Sequence, residues 1–267
     1  MHIHIGQAGD NPVKITASRK LNFANIAEES FYRKGLNMVG VIDCASPPVI
    51  KDIEKLLKKG EMEELEAGGI RYKDLVIIPG AEVESKEENG GQAHYLAYFP
   101  YLENIKDFSI IMDQYITNIN LSSQATGLKG NEILQIVENN GGVLVPAHIF
   151  TPHKSFYGRC VSNYREVFTE KEWDNIPAIE LGLSADTNLA EHLSELDNKS
   201  FLSNSDAHSL PKIAREYNII KMEELNYNEF VKALYNNNNR KISSNYGMDP
   251  RLGKYHRTYC NKCEKSF

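Results

Sequence analysis

Eight side chains in this sequence could share divalent cations. His2 and His4 stand one residue apart, and Asp43, Glu82, His94, His148, Asp206 and His208 follow in order. Imidazoles at i and i+2 of an extended segment point to one face. His2 and His4 can therefore bite one ion together while Ile3 and Ile5 turn to a core. A pair of exposed histidines at a fraying terminus, or the remnant of a tag, is the plain alternative, and two residues alone favour it. The other six change the balance, because most of them end apolar runs and mix imidazole with carboxylate. That donor set suits Zn, Mn or Fe, and the scarcity of thiolate argues against a closed structural zinc site. More ligands than one ion needs imply two or three ions bridged by shared carboxylates. Such clusters generate hydroxide at neutral pH and clamp both oxygens of a phosphoryl displacement.

Positioning these groups requires strands whose ends converge. "MVGVID" (38–43), "LVIIPGAEV" (75–83), "AHYLAYF" (93–99), "GVLVPAH" (142–148), "AIELG" (178–182) and "SFLSNSDAH" (200–208) read as mostly buried strands. Helical patterns fall between them at 25–35, 48–69 and 130–142, with Asn131 as N-cap and Gly141 as the stop of the last. The alternation predicts a parallel-strand α/β architecture. Asp43, Glu82, His148, Asp206 and His208 then fall at the C-terminal strand ends, where barrel folds carry their chemistry. The Asn-rich stretch 235–247 reads as a surface loop. Beyond it "GKYHRTYCNKC" (253–263) is basic and cysteine-bearing, which sets a domain boundary near 240–250.

The bulk composition narrows the class. At 267 residues and 41% hydrophobic, the chain can bury a full core and suits one large α/β domain. Its net charge of -6 and sequence pI of about 5.8 give no global basic signature, so any nucleic-acid contact must be a local patch. Four unevenly placed cysteines suggest a reducing cytoplasm rather than a disulfide framework. No run approaches the ~20 apolar residues of a membrane span, so no membrane partner is expected.

"HIH" (2–4), "VID" (41–43), Glu82, His94, "PAH" (146–148) and "SDAH" (205–208) resemble, in order, the motifs of the PHP (polymerase and histidinol phosphatase) superfamily. The resemblance implies a distorted (β/α)7 barrel over 1–245, up to three metal ions and phosphoesterase activity. It further implies one ion on His2, His4, Glu82 and Asp206, with Glu82 bridging to a second on His94 and His148. The third site departs from the family: Cys44 stands where a histidine usually follows Asp43, and "GQAGD" replaces another histidine. His208 remains for it, with Asp10 or Cys44 to assist. A family member would also carry a short lead before the His-x-His pair, so a start upstream of Met1 is expected.

Longer stretches, "PAHIFTPHKSFYG" (146–158), 179–218 and 253–263, resemble the endonuclease Q family of DNA-repair nucleases. That resemblance implies cleavage of DNA 5′ to hypoxanthine, uracil or an abasic site. It gives Asp186 a catalytic role, beside its plain reading as the N-cap of the following helix. Phe150, His153, Lys154 and Tyr157 form an aromatic and basic loop suited to stacking on a flipped base, or to packing onto the domain. Lys14, Lys20 and Arg215 are candidate phosphate contacts. Cys260 and Cys263 look like the first half of a zinc ribbon in 246–267, which is the start of an incomplete C-terminal region. A small-molecule phosphoesterase of the histidinol-phosphate or nucleotide phosphatase type is the rival reading. A non-catalytic nucleic-acid-binding scaffold is a third. No phosphate-loop motif supports a helicase.

Overall fold

The computed structural model describes residues 1–252, 259–260, 262–263 and 265–266. Its strands are β1 (Gln7–Ala8), β2 (Asn11–Pro12), β3 (Met38–Val41), β4 (Glu63–Glu64), β5 (Ile70–Tyr72), β6 (Leu75–Glu84) and β7 (His94–Tyr98). After these come β8 (Val143–Pro146), β9 (Ala178–Glu180), β10 (Ser200–Leu202), β11 (Tyr217–Lys221), β12 (Lys241–Tyr246), β13 (Tyr259–Cys260) and β14 (Lys265–Ser266). The helices are α1 (Phe23–Glu28), α2 (Pro47–Lys58), α3 (Leu102–Met112), α4 (Gly130–Asn139), α5 (Glu170–Asn175), α6 (Thr187–Ala190) and α7 (Tyr227–Leu234). No helix among the described residues is long and apolar enough to cross a membrane.

The fold is mixed α/β, and among the described residues no closed barrel forms. The largest sheet runs β4-β5-β6-β7-β8, with β3 also on β6. Only β3–β6 is parallel within it; β5–β6, β6–β7 and β7–β8 are antiparallel. The expected all-parallel order fails first at β6–β7, because the segment 85–93 is shorter than the dozen or more residues a parallel crossover needs. β9 and β10 form a separate parallel pair. The gaps are spanned by short bridges: the Ile149 amide donates to Glu180 O, and Ile3 bridges Val41 on one side and Ala207 on the other, both in parallel.

Every residue of β6 is buried, as a strand covered on both faces requires. Its alternate residues serve two cores. Leu75 and Ile77 join the larger cluster with Ile3, Ile5, Val41, Ile53, Phe99 and Phe108. Val76 and Ile78 join Ile42, Leu96, Tyr98, Val145, Ala178, Leu202 and Phe230. The second set places the site. Continuing by twos along the same faces leads from Ile78 to Glu82, from Leu96 back to His94, from Ala178 to Glu180 and from Leu202 to Asp206.

Three local expectations change. The helix expected over 48–69 ends at Lys58, where Gly60 turns with φ +69° and Glu63–Glu64 pairs with β5. α4 begins at Gly130 with Lys129 as its cap residue, not Asn131, while Gly141 closes it at φ +71° as expected. The Asn-rich stretch is a loop only to Arg240. Asn236, Asn238 and Asn239 take the left-handed backbone that Asn tolerates, and Lys241–Tyr246 then pairs with β11. In the C-terminal stretch β13 pairs antiparallel with β14, and Cys263 is exposed. His256 and the Cys260 side chain lie outside the described residues.

The segment carrying His2 and His4 rests on β3 because Gly40 has no side chain. A Cβ there would run into the Met1 carbonyl and come within 2.9 Å of the Tyr98 ring. Gly40→Ala is therefore expected to destabilise the fold by about 1–3 kcal/mol, read as a lower urea midpoint. An unchanged midpoint would mean that the segment is not seated on β3.

Candidate metal centre

Six of the eight expected residues meet around one carboxylate. Glu82 is 7% exposed, and its Oε1 lies 3.5 Å from His2 Nε2, 3.0 Å from His94 Nδ1 and 3.7 Å from His148 Nε2. Its Oε2 is 3.8 Å from His4 Nε2. Asp206 Oδ1 lies 3.4 Å from His2 Nε2 and 3.2 Å from His4 Nε2. Two donor groups emerge that could each hold a cation, His2–His4–Glu82 and Glu82–His94–His148, with Glu82 common to both. His4, Asp206 and His208 make a third grouping that reuses His4.

Two of these residues hold strained backbone. His148 and Asp206 have φ of +30° and +43°, a conformation worth about 1–3 kcal/mol of strain per residue that persists at functional sites when its surroundings enforce it. For His148 the enforcement is visible. Its amide donates to Glu180 Oε2 at 2.8 Å, and Gly182 packs so closely that a Cβ there would lie 2.7 Å from the His148 Cβ.

Whether these residues fit a metal can be judged from their lone pairs. His2 Nε2, His94 Nδ1 and Asp206 Oδ1 are buried and lack any hydrogen-bond partner, though all point at the same small volume. Orphaned buried polar atoms are costly unless something satisfies them. Divalent cations on this nitrogen and oxygen set would do so, and the set fits them.

In the ion-free protein, protons take that role. Burial opposes charging His2 and His4, yet Glu180, Asp206 and Glu82 around the first, and Asp43, Asp206 and Glu82 around the second, raise both. Burial likewise opposes His94, but Glu82 and Glu84 hold it up at about 9. Burial would raise Glu82 and Asp206; the neighbouring histidines, joined by Lys14 at Glu82, instead drive both well down.

A second line of carboxylates fixes the imidazoles. Glu180, wholly buried, faces His2 Nδ1 at 2.8 Å and also accepts from Asn204. Glu84 takes His94 Nε2 at 3.1 Å. Asp43 stands here too, behind His4 at 3.1 Å from Nδ1, and accepts the Ile5 amide at 2.6 Å. It holds the His4 ring, as a carboxylate behind a metal-binding imidazole would, and is not itself in any donor grouping. Glu180 and Glu84 were not singled out in the sequence. The signal was present, since a glutamate inside the apolar run "AIELG" cannot be buried without a partner. Ser122 and Ser123 were also missed; their hydroxyls donate to Asp43 and Glu82 from a loop with no motif of its own.

The remaining candidates have varied surroundings. Lys14 turns inward, with Nζ 3.1 Å from Glu82 Oε2, and Lys154 pairs with Glu84 at 2.6 Å. Arg215 donates to the Ser205 carbonyl and so braces the loop that carries Asp206. Phe150 stacks on Tyr157 at 5.9 Å, and both pack against the larger core. His153 is exposed. Asp186 caps α6, accepting the Leu189 amide at 2.9 Å. His208 lies against His4 with ring centres 4.5 Å apart. Cys44 is buried, its Sγ turned to the Val41 carbonyl, and Asp10 is exposed on the β1–β2 turn.

This fold recurs in known proteins. The chain is 44% identical over 266 residues to YqxK of Bacillus subtilis, covering 98% of this chain and 68% of that protein. It is 43% identical to MJ0043 of Methanocaldococcus jannaschii over 125 residues, which is 44% of this chain and 15% of that protein. The structure superposes on the lesion-specific endonuclease PfuEndoQ of Pyrococcus furiosus with a TM-score of 0.82 and 31% identity. That match covers all of this chain and 62% of the endonuclease. An endonuclease Q solved with a 27-mer duplex carrying an abasic lesion at its active site matches with a TM-score of 0.81 and 32% identity, over 63% of its length. No protein-family model matches. The class defined by fold and site is an α/β domain like that of the endonuclease Q structures, with clustered His, Asp and Glu donors that could hold divalent cations. The chain belongs to one family with YqxK, and its structure is endonuclease Q-like, spanning under two thirds of the length of those endonucleases.

Two outcomes test the geometry. Glu180→Gln removes the charge that fixes His2, and is expected to weaken metal binding about 10–100-fold, measured by competition with a chelating dye. Unchanged affinity would mean that Glu180 serves only the His148 backbone. The second concerns pH. His94 at about 9 lies above its ordinary 6.5, so it stabilises the ion-free fold fully below pH 6.5, and that contribution is lost as pH rises through 9. Thermal midpoints in chelator should fall across that window and stay level in saturating Mn²⁺. Identical profiles in both would sink the assignment of His94 as a ligand.

Proposed function

We propose that this chain is the phosphoesterase domain of a metal-dependent endonuclease that cuts DNA on the 5′ side of a deaminated or abasic nucleotide (hypoxanthine, uracil or an abasic site). The observation that carries the reading is the single buried carboxylate, Glu82, shared by two sets of histidines, one atom of each set (His2 Nε2 and His94 Nδ1) being buried without a hydrogen-bond partner. The likeness to PfuEndoQ, described as lesion-specific, and to the endonuclease Q bound to an abasic duplex supports DNA as the partner. The domain spans 1–245 in this reading, with its strands curled in the manner of the PHP barrel. Within 246–267, Cys260 and Cys263 would serve a structural zinc. The protein works in the cytoplasm.

His2, His4, Glu82 and Asp206 would hold one ion, with His208 beside it, and Glu82, His94 and His148 the other. Zn, Mn and Fe all suit these donors. When bound, such a pair of ions supplies Lewis acidity to both the attacking and the leaving oxygen of a phosphodiester. The chain's own residues do the rest. Glu180, Glu84 and Asp43 hold the imidazoles in one tautomer each, so that no reorganisation is needed during the reaction. Asp186, at the rim after β9, orients the attacking water or returns a proton to the leaving oxygen. The loop of Phe150, His153, Lys154 and Tyr157 meets the displaced nucleotide from the side of His148. Water adds to phosphorus as the P–O bond on the 5′ side of the lesion breaks.

The test uses end-labelled duplex DNA bearing one abasic site, uracil or hypoxanthine, with Mn²⁺ or Zn²⁺. One cut on the 5′ side of the lesion is expected, slowed by roughly 10²-fold or more in Asp186→Ala. Hydrolysis of small phosphomonoesters without DNA cleavage would instead make the chain a small-molecule phosphoesterase. DNA binding with no hydrolysis of either substrate would leave the scaffold reading.

A further inference from the structure

His94 and His148 face Glu82 through different nitrogens. His94 turns Nδ1 to Glu82 and Nε2 to Glu84, whereas His148 turns Nε2 to Glu82 and Nδ1 to the Thr151 hydroxyl at 3.2 Å. A neutral imidazole that offers one nitrogen to a cation carries its proton on the other. For a cation on Glu82, His94 and His148, Glu84 would thus accept from His94 Nε2–H, and Thr151 Oγ1 from His148 Nδ1–H. The Thr151 hydroxyl then keeps its own hydrogen for the carbonyl of His148 or of His153, each at 3.1 Å.

Both acceptors lead to one loop. Thr151 lies within the segment 149–158, and Lys154 of the same segment donates from Nζ to Glu84 Oε2 at 2.6 Å. The Lys154 carbonyl also accepts the His94 amide at 3.0 Å, from a backbone at φ +49° that a non-glycine residue keeps only when its surroundings enforce it. The ends of the loop are anchored separately. The Ile149 amide donates to the Glu180 carbonyl at 2.8 Å, and the wholly buried Phe156 stacks on Trp173 at 5.6 Å. Between those anchors His153 and Lys154 are exposed, and the middle of the loop is held from the side of the two rings.

We propose that Thr151 and Lys154 are positioning residues that tie the Glu82–His94–His148 group to the loop 149–158, so that a cation held there orders the loop. The inference rests on the reading of this site as a metal centre and deepens it, by giving the ion a second task beside its chemistry. A cation fixes each ring at one nitrogen, and the ring fixes its acceptor at the other. The loop, which carries Phe150, His153 and Tyr157, then takes up that order. The coupling is reciprocal: a nucleotide that stiffens the loop from outside would tighten the cation by the same factor.

The test is hydrogen exchange on the intact chain, read by peptide mass, with no DNA and no activity required. The amides of residues 151 and 157 donate to the His148 and Ile149 carbonyls and report on the loop, while α2 serves as the internal control. Saturating Mn²⁺ should slow exchange at these two amides by about tenfold or more relative to chelator. In the double variant Thr151→Val with Lys154→Met, which removes both ties, bound Mn²⁺ should slow them by less than about twofold, and Thr151→Ser with Lys154→Arg should restore the effect. If α2 exchanges faster in the double variant, Thr151→Val alone carries the same comparison, with a slowing smaller than in the unaltered chain. Equal slowing with and without the ties would overturn the inference, since order would then reach the loop by another route. No slowing in the unaltered chain, with Mn²⁺ binding shown by dye competition, would overturn it while leaving the metal centre and the nuclease reading in place. An absence of bound Mn²⁺ would remove the metal reading itself and the inference with it.

Discussion

The structure depends on a buried carboxylate that cannot stand alone. Glu82 lies near the end of a wholly buried strand, where an isolated charge would be strongly unfavourable. Its neighbours follow from that constraint. Four imidazoles and one ammonium surround its two oxygens. Each imidazole close to a carboxylate on one side is held on the other: His2 by Glu180, His4 by Asp43, His94 by Glu84 and His148 by Thr151. Removing one partner from such a network leaves the others charged and unmatched, which costs more than the lost contact.

The strands solve a packing problem and a chemical one on the same face. Ile78, Leu96, Ala178 and Leu202 form an apolar cluster with α7, and residues spaced by twos along those strands become Glu82, His94, Glu180 and Asp206. The apolar cluster fixes the strand register, and a slip of one residue would turn the ligands to the opposite face. The candidate donors and the carboxylate behind them are thus set by the same side-chain alternation that builds the inner core.

Much of this was legible in the residues. The six strands β3 and β6–β10 fall where apolar runs place them, because length and β-branching mark buried strands well. Histidines and carboxylates at their ends stand out against such runs. Pairing direction was not legible, because a short link and a crossover differ in what the chain does in space, and the periodicity of β6 is the same in either sheet. The 48–69 stretch reads as one amphipathic helix until Gly60 intervenes, and the pairing of Glu63–Glu64 with β5 is a tertiary event. Asp43 and Glu82 look equivalent as acids ending apolar runs. Only the Ile5 amide and the Ser122 hydroxyl, which engage Asp43, separate the orienting residue from the ligand. Lys14 reads as one of many surface lysines until its loop folds inward.

The contact between His2 and Glu180 joins residues 178 apart in sequence. During synthesis at roughly 5–20 residues per second, the first imidazole emerges from the ribosome roughly 10–35 seconds before its carboxylate exists. Ile3 must wait longer still for Ala207. Over that interval the opening segment has β3 on one side only, and its histidines lack the groups that orient them. Completion of the cluster therefore reports completion of the fold: a nascent or interrupted chain cannot bring these imidazoles and carboxylates together. A site whose first side chains are locked in place by late strands does not exist until the chain is whole.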